Sequence, residues 1–164
     1  TGGLVHLFNH AMMKGGLFLV VGCIVFRLGS TTISDMRGLG RKMPITMAAF
    51  VVGGLSLIGV PGTVGFISKW YLVLGALDNG WYPVAFLILV SSLLAVVYVW
   101  RVVEVMYFQS PDESEDAVAV SEAPLSMLIP TWILIGGTVV FGFATPVTAG
   151  VAGAAARYLM GGGS

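Results

Sequence analysis

Charge is what this sequence has least of. Of its 164 residues only 10% are Asp, Glu, Lys or Arg, with eight basic and eight acidic side chains and a formal net charge of zero. A soluble domain carries about 25% charged residues, so a water-facing surface of ordinary polarity is excluded. The charge balance leaves no basic face of the kind nucleic acid requires. Cysteine is nearly absent as well: Cys23 stands alone. That excludes an internal disulfide and any cysteine-spaced metal site, and Cys23 reads as a small buried apolar residue. No nucleotide-binding loop, haem motif or nucleophile triad is found, so neither a catalytic site nor a cofactor is expected of this chain. The opening Thr1-Gly2-Gly3 lacks Met, and no basic segment, apolar run and small-residue cleavage site follow in order. The start is therefore expected to lie inside a longer polypeptide.

What is abundant is apolar surface. Hydrophobic residues make up 57% of the chain, and mean hydropathy is +0.94. Lipid is the solvent this composition suits. A spanning helix needs about 20 mainly apolar residues, and the pattern predicts four such segments, at residues 4–26, 45–77, 83–108 and 125–144. A weaker Ala- and Gly-rich stretch, 147–160, is a final short helix or a surface segment. An all-α integral membrane fold with four or five transmembrane helices is expected. As one helix, residues 45–77 would reach about 50 Å, against a hydrocarbon core of about 30 Å. The run Gly59-Val60-Pro61-Gly62-Thr63-Val64-Gly65 predicts a break between Pro61 and Gly65, because Pro removes a donor and Gly relaxes the backbone. Broken helices at ion sites recur in transporters.

The connections suggest an orientation. Arg27, Arg37, Arg41 and Lys42, opposed only by Asp35, lie between the first two segments, and basic loops prefer the cytoplasm. Asp78-Asn79-Gly80 would then face outward, with Trp81 and Tyr82 at the interface. The loop 109–124 holds Asp112, Glu113, Glu115, Asp116 and Glu122 and is expected to be solvated and flexible. The chain divides on this reading into a transmembrane region 1–108, the acidic cytoplasmic loop 109–124, and a C-terminal helix with its tail, 125–164.

Charges at membrane depth cost about 2.5–3.5 kcal/mol on insertion scales and usually face a bundle interior or a cavity. Lys14 falls roughly 15 Å into the first helix, too deep for easy snorkelling. His6 and His10 precede it at i, i+4, i+8, so the three share one helical face, with Asn9 alongside. Three uses fit such a stripe. The histidines could share a metal ion, although no third ligand is near in sequence and a cationic Lys14 would repel it. The stripe could make structural hydrogen bonds between helices. Or it could relay protons, since histidine titrates near neutrality and burial disfavours the charged form of an amine. Lys69 follows the break, where exposed peptide dipoles and water can stabilise a moving charge, with Ser68 placed to help hydrate it. Arg101 and Glu104 are three apart on the third segment and can pair, chiefly to fix helix packing.

The string Val5-His6-Leu7-Phe8-Asn9-His10-Ala11-Met12-Met13-Lys14, then Leu17-Phe18-Leu19, resembles a helix of the antiporter-like family. That family contains the Mrp-type multisubunit Na⁺/H⁺ antiporter subunits and the membrane-arm subunits of respiratory complex I. Asp35-Met36-Arg37-Gly38-Leu39-Gly40 with Met43-Pro44 resembles its cytoplasmic loop. Leu55-Ser56-Leu57-Ile58-Gly59-Val60-Pro61 with Gly65-Phe66-Ile67-Ser68-Lys69 resembles its broken helix. The match runs from about Val5 to Phe108. It implies the C-terminal part of a fold of about fourteen helices, with His6, His10 and Lys14 on a central polar axis and Lys69 near the exit of a half-channel. It also implies a multi-pass subunit of the cell inner (plasma) membrane, working with other membrane subunits on protons and Na⁺. Phe66-Ile67-Ser68-Lys69-Trp70-Tyr71 is similar to the D-type member of the Mrp antiporters. A proton-pumping subunit of NADH:quinone oxidoreductase and a structural scaffold are the alternatives.

Overall fold

The computed structural model describes residues 2–110, 120–159 and 161. Among these the chain forms seven α-helices and one 3₁₀ turn. They are α1 (Gly2–Leu28), the turn Ile33–Met36, α2 (Leu39–Lys42), α3 (Pro44–Ile58), α4 (Val64–Asp78), α5 (Tyr82–Phe108), α6 (Leu125–Phe143) and α7 (Thr145–Leu159). Helices α1, α5 and α6 are each long and apolar enough to cross a membrane. The all-helical membrane architecture expected from the sequence is what forms. The weak Ala- and Gly-rich stretch is helical as α7. Asp112, Glu113, Glu115 and Asp116 of the acidic loop lie outside the described residues, whereas Glu122 lies within them.

Helix α1 is the hub, packing against α3, α4, α6 and α7. Its buried stripe is Val5, Asn9, Met13, Gly16, Val20 and Cys23 with Ile24, the three-to-four spacing of one helix face. With no hydrophobic drive between helices in lipid, close backbone approach supplies the packing. Small residues allow it here: a Cβ on Gly16 would meet Ile135 Cδ1 at 2.6 Å, and one on Gly53 would meet the same atom at 2.7 Å. A core of Val20, Cys23, Ile24, Leu39, Met43, Met47, Met106, Leu128 and Ile135 fills the end of the bundle nearest the basic loop. By contrast, α5 is buried on a narrow stripe of Ala85, Ala95, Val99, Val105 and Met106. Its other face exposes Phe86, Leu87, Leu93 and Val97, as suits contact with lipid.

The predicted break forms, beginning slightly before the expected bounds. Helix α3 stops at Ile58 because Gly59 takes a left-handed conformation at φ 94°. Gly59 N–H donates to Ser56 O and Val60 N–H to Leu55 O, both at 3.1 Å, the hydrogen-bond pattern of a Schellman motif. Pro61 then bars re-entry into the helix. Helix α4 begins at Val64, so its first turn lies against the last turn of α3. A Cβ on Gly65 would stand 1.6 Å from Ser56 O, so no side chain fits there.

Candidate functional site

The last turn of a helix leaves carbonyls without partners. In α3 the Schellman motif satisfies those of Leu55 and Ser56. The next two, Leu57 and Ile58, are satisfied by Lys69. Its Nζ donates to each carbonyl at 2.9 Å and to Ser92 Oγ of α5 at 2.8 Å. The absent side chain of Gly59 leaves room for the lysine stem, since a Cβ there would stand 3.2 Å from Lys69 Cδ. A cation at a helix C-terminus also complements the helix dipole. Lys69 is half-buried.

Two other helices close on the break. Asn9 of α1, buried, donates from Nδ2 to Val64 O at 3.1 Å. Gly142 of α6 passes so close that a Cβ would stand 2.5 Å from Gly62 O. The break is therefore built in at the depth of Asn9–Met13 on α1. At 1.5 Å per residue that level lies about 22–28 Å from the Leu28 end of α1 and about 10–16 Å from its Gly2 end, inside the bundle.

The polar stripe on α1 lies one residue, about 100°, round the helix from the buried Val5–Asn9–Met13 row. His6 and His10 are half-buried, with ring centroids 5.4 Å apart and planes tilted by 37°. Nδ1 of His6 is buried without a hydrogen-bond partner. Lys14, about 12 Å along the helix axis from His6, is exposed on the outer surface of the described bundle. The structure thus pairs His6 with His10 on the flank of α1, sets Lys69 on the break, and leaves Lys14 exposed. No cluster of three or more metal-ligating side chains is present among the described residues.

Ser68 is fully buried, and its hydroxyl donates to Gly65 O at 3.1 Å rather than to the amine. The hydroxyl at the amine belongs to Ser92, which sequence reasoning missed. A serine pair, Ser91-Ser92, in the middle of a lipid-length helix was the available signal, since polar groups at that depth are costly. Arg101 and Glu104 do pair, at 3.0 Å, on the exposed face of α5. The sequence predicts Glu122 to be one of the solvated loop acids. It instead docks on α3: its carboxylate accepts from Ile45 N–H at 2.8 Å, from Thr46 N–H at 3.3 Å and from the Thr46 hydroxyl. Its carbonyl accepts from Arg27 at 2.6 Å.

A multi-pass helical membrane protein, with an amine set into a broken span, is the class that this fold and site define. The profile of the family described as NADH:quinone oxidoreductase/Mrp antiporter, TM, matches residues 1–95, and the chain belongs to that family. It is 44% identical over 151 residues to NADH-quinone oxidoreductase subunit N of Desulforudis audaxviator, covering 86% of this chain and 30% of that protein. It is 30% identical over 147 residues to the putative antiporter subunit mnhD2 of Staphylococcus saprophyticus, covering 90% and 29%. Its fold matches a chain of the Mrp complex from Dietzia sp. DQ12-45-1b with a TM-score of 0.85 at 22% identity, covering 95% of this chain and 37% of that one. The chain thus spans about 30% of the length of these curated relatives.

Proposed function

We propose that this chain forms the lysine-bearing exit region of a proton-translocating membrane subunit, working in a multisubunit monovalent cation/H⁺ antiporter. Na⁺ is the exchanged ion that fits the reading. Protons pass along water between His6, His10, Lys14 and Lys69, each lysine alternating between ammonium and amine. The other subunits are membrane proteins, and the setting is the plasma membrane, basic loops inward. In a protein of the relatives' length, further helices cover the face that carries Lys14. The pair Arg101–Glu104, on the exposed face of α5, carries no proton.

One observation carries the reading. The Lys69 amine sits on a helix break inside the bundle, on the carbonyls that end α3, and α1, packed against α4, carries a histidine whose buried nitrogen has no partner among the described residues. Buried titratable groups of this kind are functional-site candidates. A second reading, proton pumping inside a respiratory NADH:quinone oxidoreductase, is favoured by the 44% identity to a subunit N. The test is ΔpH and Na⁺ flux in membrane vesicles holding the intact protein with its partners, with and without Lys69→Met. Exchange predicts proton movement that requires Na⁺ and stops in the variant. Proton movement that ignores Na⁺ but requires NADH and quinone selects the second reading. Full transport by the variant refutes both.

A further inference from the structure

We propose that Ser92 is a positioning residue that holds Lys69 in both of its protonation states. The inference rests on the relay reading above and adds a group to it. An ammonium has three N–H donors and no acceptor. Lys69 Nζ meets three acceptors, Leu57 O, Ile58 O and Ser92 Oγ, at 2.8–2.9 Å, so the charged form is matched bond for bond. A neutral amine has two N–H groups and a lone pair. Two of the three partners are carbonyls, which only accept. Ser92 alone among them can also donate.

The hydroxyl has somewhere to put its proton in either state. With Lys69 charged, Ser92 Oγ accepts from Nζ and donates to Ile88 O, 3.3 Å away. When the amine turns one N–H to water and loses that proton, its two remaining N–H groups return to the Leu57 and Ile58 carbonyls and the Ser92 O–H turns to the lone pair. Its proton changes partner and stays on its own oxygen, so the hydroxyl never ionises. Ile88 O is not stranded by the turn, because Ser91 donates to it at 2.7 Å. Helix α1, which packs on α4, carries the titratable groups His6 and, one turn along, His10. Helices α3 and α5 present carbonyls and the hydroxyl. The serine pair thus gives the amine a partner that adapts while the amine stays on the break.

The test is proton translocation against pH in vesicles holding the intact protein, for Ser92→Ala, Ser92→Thr and Lys69→Met. Ser92→Ala is expected to assemble, to transport about tenfold more slowly, the effect of one hydrogen bond lost, and to show a displaced pH profile. Ser92→Thr keeps the hydroxyl and should stay within about twofold of the parent. A wild-type rate and profile for Ser92→Ala, with Lys69→Met inactive, overturns the role of Ser92 and leaves the relay standing. Full transport by Lys69→Met overturns both. Where Ser92→Ala does not assemble, Ser92→Val against Ser92→Thr decides, since the two match in shape; equal transport by that pair overturns the proposal.

Discussion

Glu122 and Lys69 hold opposite ends of one helix. The carboxylate of Glu122 accepts the N–H groups of Ile45 and Thr46 at the start of α3, and the Lys69 ammonium donates to the carbonyls of Leu57 and Ile58 at its end. Each charge has the sign the helix dipole favours at that terminus. The 15 residues of α3 put about 22 Å between them. The helix that ends beneath the amine is therefore anchored from the loop preceding α6, and α1 joins the anchor through Arg27.

Removing that anchor should cost stability rather than chemistry. Glu122→Ala is expected to destabilise the protein by about 2 kcal/mol, the scale of charge-assisted hydrogen bonds. Glu122→Gln, which keeps an acceptor oxygen, should recover part of it. Thermal unfolding in detergent measures both. An unchanged melting temperature for Glu122→Ala would show the docking to be without weight.

Gly65→Ala should be among the most damaging small substitutions. The added Cβ would stand 1.6 Å from a backbone oxygen, so α4 must move away from α3. Overpacking of this kind typically costs 1–3 kcal/mol, and about 3 kcal/mol is expected here. Displacing α4 also carries Lys69 off the Leu57 and Ile58 carbonyls. Yield of folded protein and proton translocation should fall together, and a variant with normal values for both would contradict the described approach.

Much of the fold was legible in the sequence, because lipid imposes length and polarity limits that a sequence displays directly. Residues 45–77 were too long for one span and contained Pro61 between glycines, so a break had to fall there. Lys69 was conspicuous because an amine at that depth is costly. Three things were not legible. Ser91-Ser92 marks a polar spot on a lipid-length helix, but its partner appears only when α4 turns Lys69 toward α5. Glu122 reads as loop charge until α3 presents unpaired N–H groups to it. Lys14 shares a helical face with His6 and His10 by spacing, but only packing shows that this face lies at the flank of the buried row.

The exposed ion pair offers a control. Arg101 and Glu104 meet at 3.0 Å with side chains 64% and 39% exposed, and surface pairs contribute 0–1 kcal/mol. Arg101→Ala and Glu104→Ala should leave transport unchanged and shift stability by less than about 1 kcal/mol. A transport defect in either, with assembly intact, would place the pair in the proton path.

His6 should behave differently from that pair. Its buried Nδ1 has no partner in the bundle, and imidazole is the side chain that titrates nearest neutrality. His6→Ala is expected to slow proton translocation by at least about tenfold while assembly is kept. Initial rates of ΔpH formation in vesicles give the comparison, and a wild-type rate would remove His6 from the relay.

Whether Lys69 sheds its proton or merely caps α3 is decided most directly by Lys69→Arg. Arginine keeps the positive charge and the donors for Leu57 O and Ile58 O, yet does not deprotonate in proteins. The measurement is ΔpH-coupled flux through the assembled protein in vesicles, scaled to the amount assembled. A relay predicts a folded, assembled Lys69→Arg protein with no proton flux. Flux at the wild-type rate would mean that the charge alone suffices and that Lys69 is a helix cap.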